Sequence, residues 1–167
     1  MLMEKTVVHY AGITFKKKGS SLLMKIFAIL LMPFSPHFMT SYWTTIFTTI
    51  YVPDFTVFDD KFYEQYKTII VHERRHILDF KKYHILFILS YLFPPAFLAY
   101  GRFVWERRAY LDELDVVALQ FPAHSREKQL RDQIDGIAEV LSSAGYLWCW
   151  PKKWIRRWFL AQYRIPV

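Results

Sequence analysis

The sequence predicts a mainly helical α+β fold in which a helix bearing a metal-binding motif and a second, ligand-bearing helix pack beside a small sheet. Three observations carry this expectation. Tyr42 to Val52 (YWTTIFTTIYV) is dense in β-branched and aromatic residues and stops at Pro53, as a strand does. Asp60 to about Ser90 and Ala99 to Gln120 read as two long helices. Between them Pro94-Pro95 forces a turn that folds the second helix back antiparallel to the first.

The remaining elements follow in order. Thr6 to Phe15 suggests a short strand, and Lys16 to Ser20 a basic turn. Leu22 to Met32 reads as a buried helix ended by Pro33. In the Tyr42 to Val52 strand, alternation puts Trp43, Thr45, Phe47, Thr49 and Tyr51 on one face. Asp59 or Asp60 is placed to cap the following helix. Phe121-Pro122 ends the second long helix. Arg126 to Ser142 reads as an amphipathic helix closed by Gly145, before an aromatic tail, YLWCWPKKWIRRWF.

At 167 residues the chain fits a single domain, 1–167, and is long enough to close a core. Apolar residues make up 53% and aromatic ones 19%, so rings either fill the core or remain as surface for a partner. The lone Cys149 excludes an internal disulfide framework and a cysteine-based zinc knuckle. Net charge is +7, from 22 Lys and Arg against 15 Asp and Glu. Such a balance attracts nucleic acid, anionic lipid or acidic cell-wall polymers, or simply keeps an apolar chain soluble. The basic groups are all short and no nucleic-acid motif is present, so no nucleic-acid partner is expected.

Two apolar stretches, Ser21 to Phe34 and Ile85 to Tyr100, raise the question of a membrane. The first lacks a clear small-x-small cleavage site, and the second is broken by its prolines and shorter than a spanning helix. Both are expected as buried core.

The chemistry lies in Val71-His72-Glu73-Arg74-Arg75-His76, an HExxH motif. Residues four apart on a helix stack one turn above each other, so both imidazoles reach one ion. Neutral imidazole suits Zn²⁺, and the adjacent carboxylate projects toward the water that the metal makes acidic. His72 and His76 are therefore the candidate ligands and Glu73 the candidate catalytic base. Helix-surface histidines paired with Glu73 are the bland alternative.

Catalytic zinc takes three protein ligands and leaves one position open. Glu106, on the next predicted helix, is brought back toward the histidines by the proline turn, and the small Ala109 nearby allows close helix approach. Otherwise Glu106 is a solvated acid paired with Arg102 or Arg107; Glu113, on the same face, is the fallback ligand. Asp79 shares the helix face of His72 and His76 and is a candidate to hold a ring nitrogen, or else pairs with Lys82. Tyr110 is a candidate oxyanion donor, with plain helix packing as its alternative. The preceding strand suits an extended substrate by backbone pairing.

HExxH followed by a glutamate on a later helix resembles the gluzincin pattern, and the short spacing is similar to that of the smallest members, the minigluzincins. The strings TTIFTTIYVP, VHERRHILD and GRFVWERRAYLDEL also resemble uncharacterised bacterial and phage proteins of this layout. The resemblance covers Tyr42 to Leu114 and implies a zincin-like fold, Zn²⁺ on His72, His76 and Glu106, and Glu73 as general base. Two departures stand out. Tyr110 occupies the position where thermolysin-like enzymes carry an aspartate, and Lys82 sits where a metzincin needs its third ligand.

The expected function is a zinc-dependent peptidase acting on a peptide or peptidoglycan-type amide. The alternatives are a non-catalytic zinc-binding structural or assembly protein, and a membrane-associated protein whose aromatic, basic C-terminal segment lies on lipid. A cytoplasmic location is expected, with membrane-peripheral or virion-associated placement as alternatives.

Overall fold

The computed structural model describes residues 6–32, 37–92, 96–143 and 150–166. The architecture is mainly helical with one small mixed sheet, as the sequence predicts. Two compact units divide the chain, Met1–Lys81 and Lys82–Val167; each is described by itself.

In the first unit, β1 (Val7–Tyr10) and β2 (Ile13–Lys17) form an antiparallel hairpin rather than one strand. Its two turn residues, Ala11 and Gly12, both have positive φ (47° and 76°), the handedness that matches the twist of a hairpin. The stretch Tyr42 to Val52 is likewise a hairpin, of β3 (Thr44–Ile46) and β4 (Thr49–Val52). The chain reverses at Phe47-Thr48, where Phe47 takes φ 54°. That turn corrects the expected alternation. Thr45 pairs with Ile50, so Thr45 shares a face with Ile50, and Thr49 and Tyr51 lie on the opposite one. The sheet order is β1-β2-β4-β3, with β2 and β4 parallel and β3 at an edge.

One face of this sheet is apolar. Ile13, Phe15, Ile50 and Val52 pack with Phe62 of α3 (Phe62–Gln65) and with Ile70 and Ile77 of α4 (Lys67–Tyr83). Phe62 sits among rings, edge-on to Phe15 at 5.2 Å and stacked on Trp43 at 6.1 Å. Neither Asp59 nor Asp60 is the N-cap: Lys61 takes that position without a side-chain cap, and Asp59 Oδ1 accepts from Lys61 N at 3.0 Å in the turn just before it.

The expected continuous helix from Asp60 to Ser90 is broken. Tyr66 leaves helical geometry between α3 and α4, and His84, with φ 46°, separates α4 from α5 (Ile85–Leu92). A positive φ cannot continue a right-handed helix.

The expectation for Leu22 to Met32 fails in a different way. The helix exists as α1 (Leu22–Leu31), capped by Ser21 Oγ accepting from Met24 N, but it is not core. Met24 is buried, whereas Leu22, Ile29 and Leu30 are exposed. The short α2 (Phe38–Ser41) follows. Ile85, Leu86 and Leu89 of α5 are exposed as well, against the same expectation. No helix among the described residues is long and apolar enough to cross a membrane.

The second unit holds α5, α6 (Ala96–Gln120), α7 (Ala123–Leu141) and α8 (Lys152–Gln162). The expected turn at Pro94-Pro95 and the closing Gly145 lie outside the described residues. α6 ends at Gln120 as its sequence predicts, and Pro122, extended at the N-cap, precedes the first residue of α7, Ala123. The aromatic tail, expected without regular structure, contains a helix over Lys152–Gln162. Offsets of four and five residues put Ile155, Phe159 and Leu160 of α8 inward against Leu130, Ile134, Ile137 and Leu141 of α7. The apolar side of α8 is therefore largely used in packing. Gly101 lets α6 approach α5: a Cβ there would stand 2.7 Å from the Ser90 carbonyl oxygen. Beside it Trp105 Nε1 donates to Ser90 Oγ at 2.7 Å.

Candidate metal centre

The motif residues lie in the middle of α4, on its inward side. His72, Glu73, His76 and Asp79 are all buried, and the same helix carries Ile70 and Ile77 into the sheet core. The imidazoles of His72 and His76 stand with ring centroids 5.0 Å apart and planes at 78°. This is the one-turn stacking that the four-residue spacing dictates.

Glu73 is held from the sheet. Thr45 on the edge strand β3 donates its Oγ1 hydrogen to Glu73 Oε2 at 2.5 Å. The hairpin reversal at Phe47 makes this contact, because it keeps Thr45 on the apolar face over which α4 packs. No sequence signal marks Thr45 as a partner of Glu73; alternation placed it on a face but not against a helix.

Lys18 is a second residue that sequence reading left as part of a basic turn. Its side chain is fully buried, donating from Nζ to the Phe38 carbonyl oxygen at 2.5 Å, with Nζ 3.9 Å from the Phe38 ring centre. Burial pulls its ammonium down from the ordinary 10.5 to about 8, while the carboxylates of Glu73 and Asp54 act in the opposite direction.

Glu106 lies on the inward side of α6, where Phe103, Glu106 and Ala109 are all buried at three-residue spacing. Glu113, the fallback ligand, is half-buried. Tyr110 packs against the α6–α7–α8 core, the plain packing role weighed against an oxyanion role. His72 and His76 belong to the first unit and Glu106 to the second, and all three are of the residue types that could hold a metal ion. A carboxylate and two imidazoles, all buried, form a donor set of the type that zinc takes. Compared with known protein families, curated proteins and solved structures, the chain matches none of the three.

Proposed function

We propose that the chain is a zinc-dependent peptidase of the gluzincin type, in which His72, His76 and Glu106 hold one Zn²⁺ and Glu73 is the general base. The observation that carries this reading is the pair of buried imidazoles one turn apart on α4, His72 and His76, with the Glu73 carboxylate beside them oriented by Thr45. A zinc ion supplies Lewis acidity, which makes water acidic enough to lose a proton near neutral pH and polarises the scissile carbonyl.

The chain's own residues do the rest. Thr45 holds one oxygen of Glu73, which sets the plane of the carboxylate. The other oxygen, Oε1, takes the proton of the attacking water as its oxygen bonds to the carbonyl carbon. The same proton then passes to the amide nitrogen as the C–N bond breaks. Asp79, one turn beyond His76 and buried, is assigned the role of holding an imidazole in one tautomer. β3 is an edge strand beside Glu73, so an extended peptide or peptidoglycan-type stem can add to it by backbone pairing. An oriented base favours an enzyme over a structural zinc scaffold, which has no use for one.

The test is zinc content and hydrolysis measured together on the wild type and Glu73→Gln. Zinc bound at one per chain with hydrolysis lost only in the variant is the expected result. A wild type that binds no zinc overturns the reading.

A further inference from the structure

α1 buries little of the apolar surface that its sequence provides. Leu22 and Ile29 are each 74% exposed and Leu30 65%, with Leu23 and Ile26 also open to solvent. Offsets of three and four residues put Leu22, Ile26 and Ile29 on one face, with Leu30 beside them. Met32, just past the helix, is exposed too. Soluble domains seldom leave so much contiguous aliphatic surface in water without a partner for it.

Charge says which partner. Between Glu4 and Asp54 there is no Asp or Glu, while Lys5, Lys16, Lys17, Lys18 and Lys25 fall in or at the edge of that stretch. Lys17 and Lys18 turn inward onto the carbonyls of Asp54 and Phe38. Lys25 does not: it is exposed on α1, at the flank of the apolar face. An apolar helical face flanked by lysine, on a stretch of chain that carries no acid of its own, matches a bilayer surface carrying negative charge. A second copy of this chain is the poorer match, because net charge +7 opposes self-association. Ten helical residues rise only about 15 Å, half of a hydrocarbon core, so the helix lies in the interface and does not span it.

We propose that α1 docks the protein on the surface of a membrane containing anionic lipid, with Leu22, Ile26, Ile29 and Leu30 inserted and Lys25 among the headgroups. This surface belongs to the first unit alone and is independent of the zinc reading. It also replaces the C-terminal aromatic segment as the lipid-facing element, since α8 spends much of its apolar side on packing.

The full chain is sedimented with vesicles of phosphatidylcholine alone and with vesicles in which a third of the lipid is phosphatidylglycerol. The wild type is expected to pellet with the anionic vesicles and to be partly released by salt. Leu22→Ser/Ile29→Ser/Leu30→Ser should lower partitioning by about tenfold or more while keeping the wild-type circular dichroism. Lys25→Glu should weaken binding to the anionic vesicles only. If the triple variant misfolds, Lys25→Glu decides, and its unchanged binding to anionic vesicles overturns the proposal. So does a wild type that ignores anionic vesicles, or a triple variant that binds as well as wild type. A concentration-dependent dimer without lipid, abolished by the triple variant, assigns the face to a second copy and overturns the proposal as well.

Discussion

Thr45 Oγ1 donates to Glu73 Oε2 at 2.5 Å, joining an edge strand to the motif helix across 28 residues of sequence. A hydrogen bond to a charged group contributes about 1.5–3 kcal/mol, and here it sets the orientation of the proposed base. Thr45→Val keeps the β-branched shape and removes the donor. It should lower kcat/KM by roughly ten- to a hundredfold with zinc content unchanged, and Thr45→Ser should restore most of the loss. Equal activity of Thr45→Val and wild type would show that the bond orients nothing of consequence.

Glu73→Gln preserves shape and removes basicity. Hydrolysis should fall by about 10²–10⁴-fold, while zinc stoichiometry and thermal unfolding stay near wild type. Steady-state kinetics beside metal analysis makes the comparison, and undiminished turnover in the variant excludes Glu73 as base.

Glu106 and Glu113 sit two turns apart on α6, the first buried and the second half-buried. Glu106→Ala should weaken zinc binding sharply in a chelator competition, and Glu113→Ala should leave it nearly unchanged. The reverse ranking would transfer the ligand role to Glu113.

Lys18 is held at about 8 in the folded protein against 10.5 for the ordinary side chain, chiefly by burial. Because the folded-state value is the lower one, the folded protein releases this proton first as pH rises. Between about 8 and 10.5 the unfolded chain therefore binds more protons, and stability gains with pH across that window. Relative to Lys18→Met, the wild-type melting temperature should climb from pH 8 to 10.5. Parallel curves for the two proteins would rule out a titrating Lys18 as the cause.

Gly101→Ala sets two effects against each other. Helix propensity favours alanine by about 1 kcal/mol. The new methyl, however, would lie 2.7 Å from the backbone oxygen of Ser90, which cannot move without displacing α5. Overpacking of this kind costs about 1–3 kcal/mol, so a net loss in a urea titration is expected, and a net gain would mean that α5 yields freely.

The sequence by itself determined what depends on local periodicity. The mainly helical α+β class, the ends of α6 at Gln120 and of the strand region at Val52, and the stacking of His72 on His76 all follow from residue type and helical or turn geometry within a few residues. The same local logic went astray where a single residue reverses the chain. Phe47 and His84 take positive φ without being glycine, so a strand and a helix each divide where no breaker is written. The exposure of α1 departs from expectation because apolar composition states what a helix can bury, not what is present to cover it. Only the tertiary structure decided that Thr45 meets Glu73, that Lys18 lies inside and that Leu22, Ile29 and Leu30 face outward. Each depends on which face of one element packs against another distant in sequence, and periodicity along a chain carries no information about that partner.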